Sequence, residues 1–434
     1  MNLFALLQKR AAAGRPVRVG LIGAGKFGCM FLSQVPSTPG LKVAAIADLS
    51  PDRARAACRG VGWTEERIAA TRIADDALAT IASPDVEVVV EATGHAPAGI
   101  RHARAAIRAG KHIVMVNVEA DVLAGPLLAK EAAEAGVVYS LAYGDQPALI
   151  CEMIDWARSC GFPVLAAGKG TKYMPEYHAS TPETVWGFYG LTPEQARVGG
   201  MNPQMFNSFL DGTKSGIEMA AVANASGLTP APQGLEFPPL GTHELADGLR
   251  TGNAGLLHHA GQVEVVSSVR RDGSPVENDL RWGVFVVFEA PNDYAARCFK
   301  EYGVATDRTG RVSALYRPFH LIGLELNVSI LSAALRGEAT GAPTGFRGDV
   351  VSTAKRDLRA GETLDGEGGA CVWGKLMTAA DSLRVGGLPI GLANRVPLVR
   401  DVKAGDPVTW QDVRIDESDE AYRYRREMEA AFPA

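Results

Sequence analysis

No stretch of the 434-residue sequence approaches the run of about 18 apolar residues that a membrane-spanning helix needs. The opening Met-Asn-Leu-Phe-Ala-Leu-Leu-Gln-Lys-Arg lacks a signal-peptide core, because its apolar stretch is short and its charges follow it. Leu3, Leu6 and Leu7 predict a short amphipathic helix there instead. Cysteine is sparse. Six residues, at 29, 58, 151, 160, 298 and 371, form no C-x-x-C pair and no zinc-type spacing with histidine. Scattered reduced thiols in a cytoplasmic protein are the expectation. Long basic runs are also missing. With 44 Lys+Arg against 49 Asp+Glu the net charge is −5, which argues against a nucleic-acid partner. At 47% hydrophobic and 21% charged, the chain is not dominated by disorder, collagen-like repeats or coiled coil.

Glycine, by contrast, is abundant: 48 in 434 residues, about 11% against a usual ~7%. Three of them fall in one place. Val17-Arg18-Val19-Gly20-Leu21-Ile22 reads as a buried strand, Gly23-Ala24-Gly25-Lys26-Phe27-Gly28 follows, and Cys29-Met30-Phe31-Leu32 opens a helix. This is G-x-G-x-x-G in its required strand–turn–helix context. Gly23 permits the tight turn, Gly25 lets a pyrophosphate approach, and Gly28 lets helix and strand pack closely. The next strand, Lys42–Ala47, ends in Asp48, placed to bind a ribose hydroxyl. Asp48 favours NAD(H); Arg53 and Arg55 nearby would favour NADP(H), and the sequence leaves both open. Strands at 86–94, 112–116 and 137–142 alternate with Ala-rich helical stretches, predicting an α/β doubly wound parallel sheet over residues 1–160. Its strand ends carry Thr93-Gly94-His95, Asn117-Val118-Glu119 and Tyr143-Gly144-Asp145, which makes His95 and Glu119 candidates for the nicotinamide side.

Residues 161–340 read as an α+β substrate and dimerisation domain. A strand at 164–167 leads into Gly168-Lys169-Gly170-Thr171-Lys172-Tyr173, a composition suited to an anion site. Further on, Asp211, Lys214, Ser215 and Glu218 have helical spacing and would share one face turned to a cleft. Strands are predicted at 263–266 and 284–288, and a helix over 321–335 that returns to the nucleotide domain, with Arg317 and His320 near its N-terminus. The pair His258-His259 is read as structural. Beyond a Gly/Pro linker at 341–345, two phrases of the form R-D-(L/V)-x-A-G-(E/D), at 356–362 and 400–406, form a short internal repeat in a β-rich module, residues 345–434.

The fingerprint together with Asp211 and Lys214 resembles homoserine dehydrogenase-type reductases, although Asn117-Val118-Glu119 stands where that family carries a lysine, which argues against homoserine as substrate. The C-terminal repeat resembles the SAF domain. Gly168–Tyr173, Ser180-Thr181-Pro182, Gly200-Met201-Asn202-Pro203, the 206–214 segment and Tyr316-Arg317-Pro318-Phe319-His320 are similar to the 1-deoxy-D-xylulose 5-phosphate reductoisomerase-like enzymes. That resemblance implies a Rossmann fold, NADP(H) or NAD(H), a small phosphorylated sugar substrate, a homodimer, and Mg2+ or Mn2+ held by Asp211 and Glu218. It assigns Lys172, Lys214, Asp211 and Glu119 to catalysis. Lys169, Thr171, Tyr173, Asn207, Ser208, Arg317 and His320 would bind substrate. Gly23, Gly25, Lys26, Phe27, Gly28, Asp48, Thr93, Gly94 and His95 would bind cofactor. The alternatives are a dehydrogenase without rearrangement and a non-catalytic nucleotide-binding protein.

Overall fold

The computed structural model describes residues 2–252 and 255–433. Two compact units result. One runs to Leu149 and takes in His320–Thr344; the other comprises Ile150–Phe319 and the chain from Gly345 onward.

In the first unit, strands β1 (Val17–Ile22), β2 (Leu41–Ala47), β3 (Arg72–Ala74), β4 (Val88–Glu91), β5 (His112–Met115) and β6 (Tyr139–Leu141) form one sheet. Its order is β3-β2-β1-β4-β5-β6, and every pairing is parallel. Parallel strands are covered on both faces, so Val, Ile, Leu and Ala runs without polar alternation are what the position demands. Ser50, Asp76, His95 and Asn117 each cap a following helix with a side-chain acceptor. The strand order reverses between β1 and β4, which places ligands at the C-terminal ends of those strands. Phe31, Leu32 and Ile46 are fully buried in this core, each contributing roughly 1.5–3 kcal/mol. Leu326, Ile330 and Leu331 join the same cluster. The helix expected over 321–335 spans Asn327–Arg336 instead. Before it, Leu321 N–H donates to Glu325 Oε2 (3.2 Å), so 321–326 forms turns on its own side chain.

The second unit holds β7 (Val164–Thr171), β8 (Gln262–Ser267), β9 (Val284–Glu289) and β10 (Val312–Arg317) in the order β10-β9-β7-β8. Only the β7–β8 pairing is parallel among these four. Arg317 therefore ends an edge strand and does not stand at a helix N-terminus, while His320 belongs to the first unit. The Thr213–Ser226 helix packs against β7 and β8 and against β11 (Gly348–Ala354) and β13 (Val372–Thr378). Being buried on nearly all sides, it needs small apolar residues where backbones approach. Its polar ends are pinned to the C-terminal segment: Gly374 N–H donates to Thr213 Oγ1 (2.8 Å), and Asn224 Oδ1 accepts from Arg347 and Gly348 N–H (2.7 and 3.0 Å).

The internal repeat forms a reciprocal clasp. Leu358 and Val402 exchange backbone hydrogen bonds (2.8 and 3.0 Å). Asp357 accepts from Ala404 N–H and Lys403, and Asp401 accepts from Ala360 N–H and Arg359, so the same two contacts occur twice with the partners exchanged. Short strands β12 (Thr363–Asp365) and β14 (Asn394–Pro397) pair beside it. The repeat is thus turn chemistry. The module expected as a separate third domain is one unit with 150–319, because the 365–369 loop is bonded along the Pro203–Leu210 helix. Gln204 Nε2 donates to Asp365 O and Glu367 O (both 2.9 Å), and Asn207 Nδ2 to Gly368 O (2.9 Å).

Candidate active site

In the first unit, the turn after β1 is built for backbone approach. Gly23 has φ of 96°, and a Cβ there would lie 2.7 Å from Ala92 O. A Cβ on Gly28 would lie 2.6 Å from Gly23 O, whereas beside Gly25 there is open space. The Lys26–Gln34 helix starts from Gly25 without a side-chain cap, so its first amides and dipole are available to an anion. Asp48 is buried; Oδ2 accepts from Ala24 N–H (2.9 Å), and Oδ1 from Ser50 N–H (2.9 Å) and Arg53 (2.7 Å). The carboxylate thus braces the glycine turn, and the mostly exposed Arg53 neutralises it. These features fit a dinucleotide. Lys26 and Phe27 form the first turn of the helix. Thr93 Oγ1 donates to the buried Glu91 (2.6 Å), whose other contact is His102 Nδ1 (3.1 Å). Gly94 is exposed beside it. His95 Nδ1 accepts from Ala98 N–H (3.3 Å), making it a helix cap, and Glu119 lies in the first turn of the Val118–Glu134 helix.

In the second unit, several expected substrate contacts are already committed elsewhere. Lys169, on β7, is buried against Glu218. Asn207 spends its amide on Ser180 O, Gly368 O and Gly369 O and accepts from Ser180 Oγ (2.6 Å), and Ser208 donates to Glu367. Both side chains are held within the fold by these contacts. Asp211 does not share a helical face with Lys214 and Glu218. The Pro203–Leu210 helix ends at Asp211, left-handed Gly212 (φ 90°) intervenes, and a new helix begins at Thr213. Asp211 Oδ2 accepts from Lys355 (2.7 Å), and Oδ1 from Thr213 N–H (2.9 Å). Burial pushes the Asp211 carboxyl up, and Lys355 pulls it back. With Asp211 and Glu218 each facing a lysine, and no group of three or more His, Cys, Asp or Glu converging among the described residues, the donor set does not fit Mg2+ or Mn2+.

Lys172 differs from these. It is half-buried at the end of β7, next to Thr171, and donates to Phe188 O (2.7 Å), which leaves two of its three N–H groups. Burial lowers its pKa, and the positive charge of Arg281 lowers it further. Its neighbour Tyr173 is buried, with its ring stacked on Phe237 (3.9 Å between centroids) and its hydroxyl 2.9 Å from His178 Nε2. Phe237 has a left-handed backbone (φ 51°), strained for an aromatic residue. Buried Glu264 holds that turn by accepting from Glu236 and Phe237 N–H (3.2 and 3.3 Å). Desolvation pushes the Glu264 carboxyl up to about 7. Lys214 lies half-buried in the first turn of its helix.

Arg281, His178, Lys355 and Trp373 escape sequence reasoning. Their only common feature is tertiary, since they come from four separate segments and carry no local motif.

Residues 17–141 match the family described as oxidoreductase family, NAD-binding Rossmann fold, and residues 144–326 match that described as oxidoreductase DRL, catalytic domain. The two matches support a Rossmann-fold NAD-binding domain over residues 17–141, followed by an oxidoreductase-type catalytic domain over residues 144–326. Among solved structures, the chain is 18% identical to a myo-inositol dehydrogenase from Lactobacillus casei, over 39% of this chain and 50% of that one, with a TM-score of 0.30. It is 20% identical to a 3-ketoreductase from Actinomadura kijaniata, over 37% and 50%, TM-score 0.27. It is 18% identical to an oxidoreductase from Klebsiella pneumoniae, over 76% and 88%, TM-score 0.38. The chain spans about half the length of the first two. No curated protein gives a match. None of the helices among the described residues is long and apolar enough to cross a membrane.

Proposed function

We propose that this oxidoreductase is an NAD(P)H-dependent reductoisomerase of a small phosphorylated keto-sugar, converting 1-deoxy-D-xylulose 5-phosphate to 2-C-methyl-D-erythritol 4-phosphate. The observation that carries the reading is the pair Lys172 and Arg281: two neighbouring cations, with Lys172 still holding two free donors. A phosphate dianion would relieve their repulsion and take charge-assisted hydrogen bonds from both. The similarity of Gly168–Tyr173 to the reductoisomerase-like enzymes supports the same placement.

Bound reduced nicotinamide supplies the hydride. The glycine turn and the Lys26–Gln34 helix N-terminus would hold its pyrophosphate, and Asp48 with Arg53 would lie toward its ribose. Thr171 and Lys172 orient the substrate at the end of β7, and Lys214 stands as the lysine that moves a proton. Lys169 and Glu218 neutralise each other and stay outside the chemistry.

The test is NADPH consumption with 1-deoxy-D-xylulose 5-phosphate, with the product identified by mass and NMR. The expected result is a branched methylerythritol phosphate. A reduced product with an unrearranged carbon skeleton would make the protein a simple dehydrogenase. Lys172→Met should lower kcat/KM by about 100-fold, the size of a lost charge-assisted bond, and leave NADPH affinity unchanged.

A further inference from the structure

Residues 345–434 lie outside both family matches, yet they place two side chains beside the proposed substrate end of β7. The Lys355 side chain is 2% exposed and donates to three acceptors: Asp211 Oδ2 (2.7 Å), Ser180 O (2.6 Å) and Gly369 O (2.7 Å). An ammonium has three donors, so Lys355 is saturated and has nothing left for a ligand. Its effect passes through Asp211, whose carbonyl oxygen lies 2.7 Å from His178 Nδ1. A carbonyl only accepts, so Nδ1 carries the ring proton. Nε2 is then a lone pair, and the Tyr173 hydroxyl donates to it (2.9 Å). Trp373 covers one face of the His178 ring at a centroid distance of 3.8 Å. Burial holds His178 near pKa about 4, so the ring is neutral at pH 7 and its tautomer is the variable that matters.

We propose that the C-terminal module is a working part of the active site, with Lys355 and Trp373 as positioning residues that fix His178 in its Nδ1–H tautomer and thereby lock Tyr173 and the adjoining Lys172 in place for the substrate phosphate. Lys355 holds the Asp211 junction, the junction orients His178, and His178 anchors Tyr173 at the end of β7. The proposal rests on the reading of that end of β7 as the substrate site.

The experiment uses the full-length chain and the variants Lys355→Met, Trp373→Leu and Trp373→Phe. Nitrogen-15 NMR of the His178 ring, assigned with His178→Gln, reports the tautomer. NADPH titration reports the nucleotide unit, and turnover with the phosphosugar reports the site. Lys355→Met and Trp373→Leu should lose the single tautomer and lower kcat at least tenfold with NADPH affinity unchanged. Trp373→Phe, which keeps a stacked ring, should restore both. Because Lys355→Met strands a buried carboxylate, Trp373→Leu decides the matter if that variant does not fold. An unchanged tautomer, or a lost tautomer with full turnover, overturns the proposal. If the wild type turns over no phosphosugar, the functional reading falls by itself, and inorganic phosphate becomes the probe. At least tenfold weaker phosphate binding in Trp373→Leu then upholds the positioning role, and equal binding overturns it.

Discussion

The two units build their sites in opposite ways. In the first, recognition is made by backbone: three glycines, a helix N-terminus and one aspartate, all between residues 23 and 48. In the second, the proposed site rests on side chains: Lys172 and Arg281 face the ligand, and residues 173, 178, 211, 355 and 373 hold one another in place behind them. A backbone site tolerates almost no added atom but needs few distant partners. A side-chain site depends on charges that neutralise one another across the fold, such as Lys169 with Glu218 and Lys355 with Asp211. The difference explains why Asp211 and Glu218, expected as metal ligands, are found paired with lysines. Carboxylates that look available in sequence are consumed by lysines far along the chain.

The sharpest test of the contrast is Gly23→Ala. A Cβ there would meet Ala92 O at 2.7 Å on a left-handed backbone. NADPH affinity should fall by about 100-fold or more, and isothermal titration would show it. An unchanged affinity would mean that the turn is not the phosphate cradle.

Next in size is a pH effect that both units carry. Desolvation raises Asp121 in the first unit and Glu264 in the second, each to about 7. Between the unfolded carboxyl pKa, near 4, and 7, the folded protein keeps a proton that the unfolded chain has lost. Stability therefore falls as pH rises through that window and is fully reduced above it, by on the order of 4 kcal/mol per group. Asp121→Asn and Glu264→Gln should each flatten the fall in Tm between about pH 5 and about pH 8. Parallel pH profiles for wild type and variants would show that these acids do not titrate in that range.

A smaller effect concerns coenzyme choice. Arg53→Ala should weaken NADPH more than NADH, by roughly tenfold in the ratio of dissociation constants, since a 2′-phosphate loses a charged partner. An unchanged ratio would place the 2′ position elsewhere. Smallest of all is the clasp of the internal repeat. Asp357→Asn removes an exposed pairing with Lys403 and should leave Tm unchanged within error. A large drop would show that the repeat bears more of the second unit's stability than its exposure suggests.

Much of the first unit was readable before folding. The fingerprint, Asp48 and the alternating strands lie close in sequence, and their physics is local: a turn that needs φ above zero, a helix that needs a free N-terminus, strands that need apolar runs. The second unit was readable only in outline. Its β7 strand and its Gly168–Tyr173 motif were visible. The break at Gly212 was not, because a spacing of three and four residues looks helical on both sides of a single left-handed residue. Asn207 and Ser208 looked like free polar groups for the same reason, since nothing near them in sequence reveals the 365–369 loop that uses them.

The sequence by itself determined that this chain builds a Rossmann-type sheet, a glycine-rich phosphate turn and a repeat of turn motifs, because each of these follows from residues within a few positions of one another. Which lysine meets which carboxylate, which tautomer His178 holds and which cation is left for a ligand were decided only by tertiary structure. Charges and hydrogen bonds act over a few ångströms in space, and in the second unit those ångströms separate residues up to 175 positions apart in the chain.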